Sequence, residues 1–119
     1  MIEFKVKSTT FKVETSELTG AALNWAVARA LGKRPSVFIF QQTGKLAPEH
    51  NYSTNWAQGG PIIEREKQVI AYEYGPEVWH AYLQVKGGTY YGPTPLIAAM
   101  RCYVASKLGE EVDVPEELT

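Results

Sequence analysis

Apolar and polar residues alternate over positions 2–13, with Ile2, Phe4 and Val6 followed by Phe11 and Val13. This is the period-two pattern of a half-buried strand or hairpin, interrupted at Ser8-Thr9-Thr10. Residues 15–31 then predict a helix: Thr15 or Ser16 can cap it, Glu14 and Glu17 lie near its positive end, and Gly32 stands where it stops. Five alanines, Ala21, Ala22, Ala26, Ala28 and Ala30, are interleaved with Leu18, Leu23, Trp25, Val27 and Leu31. The apolar surface is therefore wider than one stripe, and its small residues permit close approach to a sheet. Pro35 blocks continuation, and residues 36–40 form a continuous apolar run, as expected of a strand covered on both faces.

Residues 43–55 are polar, hold Gly, Pro and Asn, and read as a loop of about a dozen positions. Residues 52–66, YSTNWAQGGPIIERE, follow. Ser53 or Thr54 is placed to cap a short helical turn, and Gly60-Pro61 to restart a helix through Glu66, because Pro lacks an amide hydrogen that a first helical position does not need. Residues 69–74 and 78–85 predict an antiparallel hairpin joined by Gly75-Pro76-Glu77. In its second strand Val78, His80, Tyr82 and Gln84 share one face, and Trp79, Ala81, Leu83 and Val85 the other, which is the core side. Gly87-Gly88 ends that strand.

Thr94-Pro95 opens the last helix and Gly109 closes it. Leu96, Ile97, Met100, Tyr103, Val104 and Leu108 surround its axis, so it is either sandwiched or placed in an oligomer interface. Residues 110–119 carry five acids and a Pro and read as a partly extended, mobile tail. The order β, α, β, short α, β, β, α predicts an α+β fold: a small, mostly antiparallel mixed sheet packed with two long helices and one short helix. Residues 1–109 make its single domain, and 110–119 an acidic C-terminal tail.

Composition narrows the partners. The 119 residues suffice for one domain with a real core. Net charge is −1, and residues 49–119 carry ten acids against five Lys/Arg; no basic stripe appears, so nucleic acid is not an expected partner. The one cysteine, Cys102, excludes an intramolecular disulfide and a paired-thiolate metal site. No segment has signal-peptide or membrane-span character, and a cytoplasmic protein without cofactor or metal is expected.

The candidate chemistry lies at two helix starts. Gly59 and Gly60 can let backbone amides approach an anion, with Trp56 and Tyr52 stacking on a ring and Thr54 contributing its hydroxyl. The plainer reading of the same stretch is a capped turn followed by Gly-Pro punctuation, and no phosphate-loop lysine accompanies it. The YYGPTP stretch at 90–95 offers free amides, Thr94 and the walls Tyr90 and Tyr91, or simply another cap. Arg65 and Arg101 are candidate phosphate donors, Arg101 the more so because it interrupts an apolar helix.

His80 belongs to a sheet face, wet or facing a cleft. Glu77 and His80 would point to opposite faces of a strand and cannot share an ion. Catalysis by His80 would require Glu77 or Tyr90 to converge on it, and neither His50 nor His80 comes with a nucleophile motif. Cys102 reads as a small buried hydrophobe.

Three segments carry a family resemblance: TSELTGAALNWAVA, YSTNWAQGGPIIERE and GPTPLIAAMRCYVASKLGEEVDVPEEL. In order and wording they resemble the NinX-like proteins of lambdoid phages and prophages, and the layout is similar, more loosely, to small phage α/β/α sandwich proteins. The resemblance implies a phage or prophage origin and a bacterial cytoplasm, and brings no activity and no catalytic residues. The expectation is a non-enzymatic phage accessory protein. It would bind a small anionic, nucleotide-like ligand between residues 52–61 and 90–94. As the alternative, it would use its apolar last helix to form a homodimer or to dock on a host protein.

Overall fold

The computed structural model describes residues 10–34, 50–85 and 87–119. The expected strand over 36–40, most of the loop over 43–55 and the first residues of the N-terminal strand lie outside them. The described chain runs β1 (Thr10–Glu14), a 3₁₀ turn (Thr15–Glu17), α1 (Gly20–Ala30), α2 (Trp56–Glu66), β2 (Val69–Glu73), β3 (Val78–Tyr82), β4 (Tyr90–Gly92), α3 (Pro95–Leu108) and β5 (Glu111–Pro115), ending in a 3₁₀ turn. The fold is α+β. Its described strands form two antiparallel sheets, β1-β5 and β2-β3-β4.

At the centre lies α3. Leu96, Ala98, Ala99, Met100, Cys102, Tyr103 and Val104 are all buried, and they point in every direction around the axis. The helix packs on β3 and β4 on one side and on α1, α2 and the first 3₁₀ turn on others. Most of its apolar surface is thus covered within the chain, while Leu108 at its end is 39% exposed. The hairpin face matches its pattern as far as Leu83, since Ala81 is fully buried and Ile70, Trp79, Leu83 and Tyr90 pack against the core, but the strand ends at Tyr82 and Val85, expected on the core side, is 89% exposed.

Two glycines allow the close approach. A Cβ on Gly59 would lie 2.5 Å from the Tyr52 carbonyl oxygen and 2.6 Å from Leu96 Cδ1, so α2 rests directly on the first turn of α3. A Cβ on Gly92 would lie 2.7 Å from the Ala98 nitrogen, which fixes how closely β4 crosses α3. β4 was not anticipated: residues 90–92 pair with β3, Tyr90 opposite Ala81 and Tyr91 opposite His80.

Three boundaries differ from expectation. The short helix is as long as α1, 11 residues, because Gly59, Gly60 and Pro61 lie inside it rather than at its start. Pro61, in the second turn, withholds the amide hydrogen that would bond the Ala57 carbonyl and crowds that carbonyl with its ring. Its cap is Asn55, whose side chain accepts from the Ala57 amide at 2.9 Å, not Ser53 or Thr54. Thr15 caps nothing: β1 carries it into the core, fully buried, where its hydroxyl donates to the Gly109 carbonyl at 2.7 Å and its amide to that of Glu110 at 2.8 Å. The first helix accordingly begins only at Gly20.

The acidic C-terminus is likewise no loose tail. Residues 111–115 pair with β1 in the register Glu14–Glu111, Val13–Val112, Lys12–Asp113 and Phe11–Val114. Val112 and Val114 face the core, leaving the acids outside.

Exchanging Gly59 for Ala forces α2 off α3 and is expected to lower stability by about 1–3 kcal/mol. Gly60→Ala, with only the Trp56 ring nearby at 3.9 Å, is expected to raise it by up to about 1 kcal/mol. Paired thermal melts check the two signs. Thr15→Val, which strands a carbonyl at the junction of the two chain ends, is expected to cost about 1–3 kcal/mol in denaturant titration.

Candidate functional site

The residues expected to bind a ligand are scattered over the fold. Tyr52 is buried, its hydroxyl 3.0 Å from His50 Nδ1 and accepting from Lys33 Nζ at 3.4 Å. Beside it Ser53 donates through both its amide and its hydroxyl to the Asn24 side-chain oxygen, at 3.0 and 2.8 Å. This segment is a core anchor rather than a ligand wall.

Thr54 and Trp56 are exposed, Trp56 at 55%. The Gly59 amide is committed to the Asn55 carbonyl at 2.9 Å, and Gly60 is interior to the same helix, so neither offers a free amide to an anion. Thr94 does cap α3, accepting from the Ile97 amide at 3.1 Å. Gly59 of the 52–61 region meets Leu96, two residues past the 90–94 region, and the Leu96 side chain fills that contact.

Arg65 extends along the surface, donating to Glu66 at 3.1 Å and to the Tyr103 hydroxyl at 3.3 Å. Burial opposes ionisation of Glu66, yet hydrogen bonds from Arg65 and Lys107 hold its carboxyl below the usual range. Arg101 reaches two main-chain carbonyls, Leu18 through Nε and Tyr91 through Nη1, both at 2.7 Å. Burial lowers its pKa, with Glu17 opposing. The guanidinium thus clamps the start of the α1 region to β4, and that is the polar partner its apolar helix required.

His80 lies on the sheet face away from α3, between Tyr82 and Tyr91, with ring centroids at 6.1 and 5.9 Å. The acid beside it is Glu73, not Glu77: the carboxylate approaches Nδ1 to 3.2 Å, though the angle is too poor for a hydrogen bond. Tyr90, opposite Ala81 in the ladder, is on the other face, so His80 and Tyr90 do not converge.

What the fold does create is a cleft around Tyr90. Three adjoining cavities share this residue, with volumes of about 760, 250 and 390 Å³. None of the three takes a residue from 52–66; of the expected site residues, Tyr90 and Arg101 alone line them. The widest opens between the outer face of β1-β5 and residues 88–90. Among the described residues four carboxylates, Glu14, Glu110, Glu111 and Asp113, line it against one ammonium, Lys12. Glu14 and Glu111 stand directly opposite in the ladder, an arrangement that repels in the absence of a counter-charge.

The narrow cavity, about 250 Å³, shares Gly88, Tyr90 and Glu110 with the wide one and continues to Leu83, Cys102 and Ala105. Burial pushes the Cys102 thiol up to about 11, so it stays protonated at neutral pH. Burial likewise raises the Tyr90 phenol, helped by the Glu110 carboxylate and Cys102. Sequence reasoning missed the acids of β5, although their alternation with Val112 and Val114 is visible in the segment EVDVP.

Among the described residues no helix is long and apolar enough to cross a membrane. A family model described as Bacteriophage P22, NinX, matches residues 14–107 of the chain. No curated protein matches it. The matched span holds α1 to α3 and all of β2-β3-β4, while most of the acidic β1-β5 face lies outside it.

Arg101→Met leaves the Leu18 and Tyr91 carbonyls without their donor and is expected to lower stability by about 2 kcal/mol, several degrees in Tm. Arg101→Lys recovers only part of this, since an ammonium has no fork to reach both oxygens. Calorimetry of the two variants checks the order.

Proposed function

The chain belongs to the bacteriophage P22 NinX family, which makes it a phage accessory protein, and we propose that it acts without catalysis, by holding a basic segment of a partner protein in the cleft around Tyr90. The observation that carries this reading is the charge of the wide cavity, four carboxylates to one ammonium, with Glu14 and Glu111 face to face. A bound cation relieves that repulsion, and an acidic rim speeds encounter with a basic partner. The bacterial host cytoplasm is the proposed compartment, consistent with the single unpaired cysteine.

Two observations support a binding role over an enzymatic one. His80 has neither Tyr90 nor Glu77 within a shared cleft, and the Cys102 thiol is kept protonated by burial. The small anionic ligand expected between residues 52–61 and 90–94 has less support, because Gly59 and Gly60 are interior to α2 and Arg65 and Arg101 have partners within the chain. Self-association through α3 has less support as well, since that helix is covered by α1, α2 and the larger sheet. Docking on a host protein remains, relocated from the last helix to the acidic cleft.

Isothermal titration with a lysine-rich peptide and with nucleotides tests the proposal. The peptide is expected to bind, more weakly at high salt, and the double variant Glu14→Lys/Glu111→Lys to lose about tenfold or more in affinity at unchanged Tm. Nucleotide binding that the double variant strengthens, with no peptide binding to the wild type, would overturn it.

A further inference from the structure

The acidic cleft has a second compartment whose chemistry differs from its rim. The cavity of about 250 Å³ next to Tyr90 is lined by Leu83, Ala105 and Cys102, with its neutral thiol, and by the oxygen-bearing residues Tyr90, Ser106 and Glu110. Ser106 donates its hydroxyl hydrogen to the Tyr103 carbonyl at 2.7 Å, so on its free side the oxygen can only accept. Among the described residues Glu110 is the one charge in the lining, and it also lines the wide cavity. Gly87 and Gly88 edge the compartment without side chains, and Gly87 has a φ of 87° that favours glycine.

An apolar wall with acceptor oxygens and a single carboxylate selects an occupant that is itself apolar along its stem and positive at its tip. A carboxylate or phosphate is repelled by Glu110 and by the neighbouring acids. A wholly apolar group makes no use of the Glu110 charge. An arginine brings a flat, forked cation better matched to a bidentate partner than to one carboxylate among apolar walls.

We propose that this compartment is a slot for a lysine side chain of the partner. Its four methylenes lie along Leu83, Ala105 and Cys102, and its ammonium is accepted by Glu110 and its neighbouring oxygens. This rests on the reading of the wide cavity as the seat of a basic segment. The occupant is a residue of a protein rather than a free alkylamine because the acids at 14, 111 and 113 lie along two strands beyond the slot, where further positive residues of the same segment meet them.

The test separates the slot from the rim by changing stem length at constant charge. Two peptides are titrated into the whole protein by calorimetry, one of alternating Lys and Gly, the other with every Lys replaced by 2,3-diaminopropionic acid, whose ammonium sits on a single methylene. Burying a methylene is worth about fourfold in affinity, so losing three of them is expected to weaken binding at least tenfold. Filling the cavity with Ala105→Leu is expected to reduce the lysine peptide to the affinity of the short-stemmed one and to leave the latter unchanged. Should that variant not fold, the methyl resonances of Leu83 and Ala105 in the wild type supply the same readout: they shift with the lysine peptide and not with its short analogue.

Equal affinity for the two peptides would overturn the slot while leaving the basic-partner reading intact. Failure of both to bind would remove both ideas. Binding of n-butylamine as tight as that of the lysine peptide would overturn the assignment to a protein partner.

Discussion

Burial of α3 on every side is the constraint on which the rest of this structure depends. A helix with Leu96, Met100, Cys102, Tyr103 and Val104 spread around its axis exposes apolar surface in whatever direction it is left uncovered, at about 25 cal/mol for each Å². The chain covers it with one sheet, two helices and a 3₁₀ turn. Close coverage needs small residues at the crossing points, which is why Gly59 and Gly92 have backbone or Leu96 atoms where a Cβ would go. Arg101, the charge in the middle of that helix, leaves the core by giving its donors to the carbonyls of Leu18 and Tyr91, and so ties two of the covering elements to each other.

Coverage by several short elements leaves seams, and the cleft is a seam. β1-β5 is joined to the rest through Thr15, Gly109 and Glu110, while β4 is held by β3 and by Arg101. Tyr90, at the start of β4, stands between these two attachments and lines all three cavities. The charges come from strand alternation. With Val112 and Val114 turned to the core, Glu111 and Asp113 have to face out, and their ladder partners Glu14 and Lys12 face out with them. One local pattern thus both anchors the C-terminus and colours the rim of the cleft negative.

The apolar register of the hairpin, with Trp79 and Ala81 inward, and the all-round character of α3 were readable because each depends on a few consecutive side chains and a fixed repeat. Thr15 was not, because its acceptor is 94 positions away and nothing in the neighbouring residues distinguishes a threonine that caps a helix from one that closes a chain. Gly59 and Gly60 were ambiguous for a related reason. Glycine serves equally to admit an anion and to admit another helix, and only what lies across from it tells which; here it is Leu96 and the Tyr52 carbonyl for Gly59, and the edge of Trp56 for Gly60.

From its residues alone the chain was bound to be an α+β protein with an all-round apolar last helix and an inward Trp79 face, since hydrophobic periodicity and capping chemistry act over a turn or a strand and need no knowledge of neighbours. Where the open surface would fall was settled by packing. Whether Trp56 and Gly59 frame a pocket or a helix contact, and whether Glu14 meets Glu111, depend on distances between segments far apart in the chain, which come into being when the apolar faces close on α3.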